Sequence, residues 1–567
     1  MFKKYGVILG IGLSYFIGIF SIFHLKPSFL DLAIGLQMSI ILTFTLGLGF
    51  FIYKNKAIEL SISSLTWMFL ASLILIQPFL NSITYPDALI FPVIYCLILA
   101  LTTIIIKQIL VNEKQGREFL CNSIAFILLT GGLCTVLTLL LQLFSINLPF
   151  VAYLGSNTPL GNIVQPNQTA FVLCLAMVAS LYLNEILPWY KKINFIILFC
   201  FAIGIALTAS RGGLLIMLGI PFLYALILNM PKKLRAIQWG VNSIILSIGY
   251  GAGLYLFNQF VAGTSENAIV RAMGAAGQAS NNERIFEQNL AYNLFSSHPI
   301  SGYGWGNSLK GAFDYALQDD WFILAHHSHV FITQIAAELG LLGLLVLIPL
   351  SWILYKNLNF KMNAIQAFPV VLVVITLVYS MSEFPLWYLR FSLIFAIALS
   401  MIDPSSLKIK AYYNSFLGSI CIIISLTSVY YYKTYLEYNR YTELTFSDQL
   451  TTQQVNKLED VFGYKEYKEQ LLYYSLTLDN HLLSQKISLG NRVITKIPAM
   501  VFLEKQAVYY ALNDEDNKSL ELYKKSCIID YRKKCSIIEK NLKDNAEKNA
   551  EKFENIYNNF MIWNKSK

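Results

Sequence analysis

Apolar residues fill most of the first 430 or so positions in blocks separated by short polar joins. Each block is long enough to cross a hydrocarbon core of about 30 Å as a helix. Reading the blocks as spans gives about thirteen, near residues 5–23, 29–52, 60–80, 88–110, 119–144, 168–189, 193–210, 213–230, 238–257, 331–355, 364–382, 386–402 and 412–431. The pattern breaks twice. Residues 257–329 form the longest polar interruption, and from 432 onward Lys, Glu, Asp, Asn and Tyr replace the apolar runs. In that tail apolar residues return at helical spacing, as in 507–523 and 527–542. The expected fold is an all-α polytopic membrane protein. Its segments are 1–256 (spans one to nine), 257–329 (one large outer loop), 330–431 (spans ten to thirteen) and 432–567. The last is a small helical domain for which tetratricopeptide-like hairpins are one form, although no 34-residue period stands out.

Composition fits that reading: 56 % of the 567 residues are hydrophobic and 14 % charged, against about 25 % charged in soluble proteins. The first block, 5–23, has no small-residue cleavage site and is expected to stay as a span. Charge then sets the orientation. With the N-terminus inside, Lys3/Lys4, Lys54/Lys56, Lys107/Lys114/Arg117, Lys191/Lys192, Lys232/Lys233/Arg235, Lys356/Lys361 and Lys408/Lys410 all fall on the cytoplasmic side. Only Lys26, Arg211, Arg271, Arg284 and Lys310 fall outside, a bias of about sixteen to five. An odd number of spans sends the tail outward as well. The net charge of +9 comes mainly from these short-loop lysines and calls for no nucleic-acid partner. Six of the eight cysteines sit in apolar runs, while Cys527 and Cys535 lie in the tail. Within one straight helix those two would be about 12 Å apart, so a bridge between them requires an intervening turn.

The outward loops hold the candidate chemistry. Gly161-Asn162-Ile163-Val164-Gln165-Pro166-Asn167-Gln168 crowds four carboxamides at the mouth of the sixth span, with Pro166 suited to the first helical turn. Capping is one use for them; donating to phosphate or sugar oxygens at a helix start is the other. Ser210-Arg211-Gly212-Gly213 forms a tight outer turn that holds Arg211 at membrane depth, where a charge is costly and usually functional. A guanidinium there matches phosphate oxygens two at a time. In the large loop, Arg271 and Arg284 add two more cations, Arg284 with Glu283 and Glu287 as alternative ion-pair partners. Gly302-Tyr303-Gly304-Trp305-Gly306 reads as a flexible aromatic lip. The loop ends in His326-His327-Ser328-His329, and four of the six histidines lie within it. If the following helix starts near His326, that residue and His329 share a face. Metal chelation would need Asp319 or Asp320 as a further ligand, so a general base is the preferred role for the histidines. Glu383, in Ser382-Glu383-Phe384-Pro385-Leu386-Trp387-Tyr388, is an isolated carboxylate able to orient a histidine or pair with an arginine.

Taken together, these motifs resemble the bacterial protein O-oligosaccharyltransferases of the PglL/PilO type, relatives of O-antigen ligases and Wzy-type polymerases. The likeness rests on 161–170, 210–213, 284–306, His327-Ser328-His329 with Gln334 and Glu338-Leu339-Gly340, and 383–388. The chain departs from the family's His-x-His-Asn pattern at Val330. The resemblance implies transfer of a preassembled glycan from undecaprenyl diphosphate to Ser or Thr of a pilin or another periplasmic protein. The enzyme would sit in the bacterial inner membrane, with active site and tail in the periplasm. It also implies His329 as general base, backed by His327, with Arg211 and Arg284 stabilising the leaving diphosphate. Gln165, Asn167, Asn162, Gln168, Arg271, Glu383 and Tyr388 are the expected substrate-binding residues. Arginines can supply the stabilisation without a metal, and no cofactor is expected. The rivals are an O-antigen ligase or polymerase with the same chemistry, and a transporter or flippase. The last would place charges and broken helices near the bilayer midplane, whereas the polar motifs here gather in outer loops.

Overall fold

The computed structural model describes residues 2–566 except 22–29, 153–158, 262–266, 319–323 and 530–534. It is helical almost throughout. Among the described residues, seven helices are long and apolar enough to cross a membrane: Leu32–Ile52, Ile62–Leu80, Pro86–Asn112, Gly116–Leu143, Pro166–Ile186, Lys232–Phe260 and Tyr413–Phe446. An eighth counts if Phe331–Leu344 and Leu347–Asn357 form one broken span. Five of the expected spans are shorter apolar helices: Tyr5–Phe20, Asn194–Leu207, Arg211–Ile227, Ala364–Tyr379 and Leu389–Ile402.

The chain divides into two units that do not follow its order. The first comprises 1–71, 94–280 and 346–432. Helices buried on every side belong in the centre of a bundle, and two among the described residues meet that description. Every residue from Gln168 to Leu183 is buried, as is every residue of Leu389–Ile402. Phe171 of the first of these helices stacks on Tyr379, with ring centroids 4.4 Å apart. Where Lys232–Phe260 meets Asn194–Leu207, Gly249 and Gly253 are four residues apart. A Cβ on either would come within 2.8 Å of a backbone oxygen, Phe199 O or Ile203 O. Small residues at that spacing let membrane helices approach closely. Ile58–Leu60 pairs antiparallel with Leu407–Ile409, a short ribbon with no counterpart in the apolar pattern.

The second unit comprises 72–93, 281–345 and 433–567. The large-loop helix Ala275–Ser297 and the short helix Ser308–Tyr315 place Leu290, Leu294, Ala312 and Phe313 in the same core as tail residues Tyr473, Val493, Leu503, Tyr509, Ile538 and Phe560. The loop therefore shares its core with tail residues that lie 160 to 270 positions later in the sequence. The tail itself is a succession of helices: Lys465–Ser475, Leu483–Lys496, Met500–Leu512, Asp516–Ile528, Cys535–Lys548 and Ala550–Lys565. Cys527 and Cys535 form a disulfide at a Cα separation of 4.2 Å, one near the end of a helix and the other at the start of the next. Closing a loop of this size stabilises by about 2.5 kcal/mol through chain entropy. Cys535→Ser is expected to lower the unfolding free energy of the full chain by about that amount, read by chemical denaturation with and without reductant. An unchanged midpoint would mean the bridge adds nothing to stability.

Candidate active site

In the first unit, three separated motifs meet at helix starts. Gln165 caps Pro166–Ile186, its side-chain oxygen accepting the Gln168 N–H at 2.6 Å. Asn162 ties its own loop together, accepting from Ala152 N at 3.0 Å and donating to Phe150 O at 2.8 Å. For these two amides, local backbone bonding accounts for the side chain. Asn167 is different. Its Nδ2 donates to Glu383 Oε1 at 2.7 Å, and its Oδ1 accepts from Ser210 Oγ at 2.8 Å. The Tyr379 hydroxyl donates to the Asn167 carbonyl at 2.6 Å. Ser210 caps Arg211–Ile227 by accepting from Gly213 N at 3.0 Å. Half-buried Arg211 is thus fixed as the first residue of a helix whose cap is held by Asn167. Glu383, only 5 % exposed, is engaged by Asn167 within this unit.

Backbone strain accompanies the motifs. Val164 has φ 60°, Ala209 φ 53° and His329 φ 58°. A left-handed backbone is unfavourable for a non-glycine residue, above all a β-branched one, and persists only where surrounding contacts impose it. Each of these residues lies in or beside one of the sequence motifs.

Gln168 and Tyr388 meet through a residue the sequence reading passed over. Arg390, 3 % exposed, donates to Gln168 Oε1, and its guanidinium lies 4.7 Å from the Tyr388 ring centroid. The available signal was a lone charge inside the apolar run 386–402, which is costly and marks a site by default.

In the second unit the histidine segment does not open a helix. The helix is Phe331–Leu344, and Val330 before it is extended. His326 and His329 therefore do not share a helical face; the close pair is His327 and His329, with perpendicular rings 4.4 Å apart. Ser328 between them is held on three sides. Its N–H donates to Gln334 Oε1 at 2.7 Å, its Oγ lies 2.9 Å from Thr333 Oγ1, and its carbonyl accepts from Gln288 Nε2. Gln334 Nε2 donates to Ser308 Oγ at 3.0 Å. Buried Glu338 Oε1 accepts from Ser308 Oγ at 3.2 Å and from Gly306 N at 3.1 Å. His329 Nε2 lies 3.6 Å from Glu287 Oε1. Burial, then the neighbouring His329 and His326 rings, push His327 down to about 2.

Arg284, Glu287 and Gln288 are spaced i, i+3, i+4 on helix Ala275–Ser297 and so share one face. Glu287 and Gln288 touch the histidine segment, which puts Arg284 one turn away on that same face. The glycine-aromatic segment is pinned rather than a flexible lip: Tyr303 N donates to Ala337 O at 2.8 Å and Gly304 N to Glu338 O at 3.0 Å. It docks where Gly340, at φ 63°, breaks the helix and frees its backbone for these bonds. Arg271 belongs to helix Ala268–Met273 with its side chain outside the described residues, as are Asp319, Asp320 and Trp321. Arg211 and the Asn167 cluster belong to the first unit; Arg284, His327 and His329 belong to the second.

Comparison with known proteins bears on what these clusters serve. The O-antigen ligase family profile matches residues 196–348, which include Arg211, Arg284 and both paired histidines. A second profile, described as virulence factor membrane-bound polymerase, C-terminal, matches 368–528. Over residues 196–348 the chain is similar to the O-antigen ligase family. Its similarity extends to a general O-oligosaccharyltransferase of Acinetobacter baylyi (strain ATCC 33305 / BD413 / ADP1), 21 % identical over 315 residues. That stretch covers 54 % of each chain, so the chain spans about half the length of this curated relative. No solved structure matches. The family match and the apolar helices fit a multi-pass membrane protein. Within the ligase-profile region, the structure adds Gln288 and Ser308 to the residues legible from sequence and places Glu287, expected only as a partner of Arg284, beside His329.

Proposed function

We propose that this chain is an O-linked oligosaccharyltransferase that moves a preassembled glycan from undecaprenyl diphosphate to a Ser or Thr of a periplasmic protein such as a pilin. The acceptor oxygen attacks the anomeric carbon, and the bond from that carbon to the diphosphate oxygen breaks. The diphosphate leaves with the bonding pair, and the hydroxyl proton passes to His329. Arg211 and Arg284 stabilise the charge gathering on the leaving group, a role for which fixed guanidinium donors are suited. In this reading thirteen spans, five of them short, place the loop motifs and a tetratricopeptide-like tail in the periplasm. One observation carries the proposal. Asn167 hydrogen-bonds both Ser210 and Glu383, so three of the motifs that carry the likeness, 161–170, 210–213 and 383–388, join at the cap of Arg211's helix. The match to a polymerase profile over 368–528 favours a second reading, extension of a lipid-linked polysaccharide by the same chemistry.

Co-expression with a lipid-linked glycan pathway and candidate pilins, followed by intact-mass analysis, separates the two. A glycan-sized mass increase on the acceptor supports transfer to protein; unmodified acceptors alongside lengthened lipopolysaccharide would favour the polymerase. Asn167→Ala is expected to reduce transfer about 5- to 150-fold, because removing one member of a buried polar network costs about 1–3 kcal/mol. Membrane levels of the variant should match wild type, and full activity in it would detach the Asn167 cluster from the reaction.

A further inference from the structure

Burying a carboxylate is costly unless a partner answers its charge. Glu287 is only 8 % exposed, set into helix Ala275–Ser297 beside Leu290, Ala291 and Leu294. Its Oε1 stands 3.6 Å from His329 Nε2, an ion-pair separation slightly longer than a hydrogen bond. His329 in turn cannot drift from it. Its backbone is held at φ 58°, and the preceding Ser328 is clamped by Gln334, Thr333 and Gln288, the last being Glu287's neighbour on the same helix.

We infer that Glu287 is the positioning residue for His329: the carboxylate beside Nε2 orients the imidazole and balances the imidazolium that forms when His329 takes up the acceptor's proton. This rests on the glycan-transfer reading above and goes beyond it, since the motifs offer Glu287 only as an ion-pair partner of Arg284 and the family match assigns it no role toward His329. Glu383, the sequence-level candidate for orienting a histidine, is bonded to Asn167 in the first unit. The other ionisable groups facing the histidine segment are His327 and His326 from the segment itself and Arg284 from Glu287's own helix face. Glu338 reaches it through Ser308 and Gln334, and Lys496 acts on His326. Among these, Glu287 supplies the negative charge at His329 Nε2. A carboxylate that orients a catalytic histidine and balances its charge acts on the chemical step rather than on substrate binding.

The test uses the full-length enzyme in membranes with lipid-linked glycan donor and acceptor protein, measuring kcat and KM separately. Glu287→Gln is expected to lower kcat about 10²-fold with both KM values within about twofold. Glu287→Asp, which keeps the charge, is expected to retain most of the rate that Glu287→Gln loses. Adding Glu287→Gln to His329→Ala is expected to have no further effect, because the carboxylate acts through the imidazole. Unchanged kcat in Glu287→Gln, a raised KM in place of a lowered kcat, equal damage from Gln and Asp, or a multiplicative loss in the double variant would each overturn the inference. If Glu287→Gln does not reach the membrane, the comparison of Glu287→Asp with wild type, alone and on His329→Ala, decides it. Absence of transfer by the wild-type chain would instead remove the transferase reading itself, a separate result.

Discussion

His329→Ala is expected to lower glycan transfer by about 10²–10⁴-fold, the usual loss on removing a positioned base, while the protein still inserts normally. The sequence offers two histidines for this role, and the structure distinguishes them. His327 is pushed down to about 2 by burial and by the His329 and His326 rings. It is therefore uncharged throughout the neutral range, and its protonated form would surrender a proton too readily for it to accept one from a hydroxyl. The linkage has a definite sign. An unfolded histidine takes up a proton near pH 6.5 that folded His327 refuses, so this group destabilises the fold as pH falls from about 6.5 toward 2. His327→Ala is accordingly expected to leave a larger residual rate than His329→Ala and to blunt the acid lability of the fold. A His327→Ala rate below that of His329→Ala, measured by intact mass of the acceptor, would reverse the assignment.

How much of this could be read from the chain depends on the range of the interactions involved. Helices appear in a sequence because their hydrogen bonds and apolar faces are local. The blocks correspond to helices in the structure, although several are shorter than the apolar runs that announce them, as with Ala364–Tyr379 inside 364–382. The motif residues were visible too, because charges and amides stand out against apolar surroundings. What the sequence left open was which amide does what. Gln165 and Asn162 were indistinguishable from Asn167 until their partners were known, and Asn167's partners, Ser210 and Glu383, lie 43 and 216 positions away. The histidine segment was misjudged by a few residues. Periodicity locates a helix but not its cap, and starting the helix at Phe331 rather than near His326 changes which imidazoles face each other. The union of the large loop with the tail was not legible at all. Leu294 and Phe313 look like ordinary amphipathic-helix residues, and nothing local says that Tyr509 and Ile538 cover them.

Arg211→Lys is expected to lose about 10²–10³-fold in transfer despite keeping its positive charge. The argument begins with the turn. Arg211 follows a residue with φ 53° and a serine whose hydroxyl both donates to Asn167 and accepts from Gly213, so its Cα has little freedom. A guanidinium launched from a fixed point offers paired N–H donors in a plane, matching two phosphate oxygens at once. An ammonium on a flexible stem supplies charge but not that geometry, and must be ordered anew as charge builds on the diphosphate. If transition-state stabilisation depends on donors already in place, lysine should lower kcat far more than it raises KM for the lipid-linked donor. Arg211→Ala should be lower still, and Asn167→Ala, which leaves the guanidinium but frees its helix cap, should fall between wild type and Arg211→Lys. A lysine variant working at the wild-type rate would show that charge alone suffices, and the network around Asn167 would then be a matter of stability rather than catalysis.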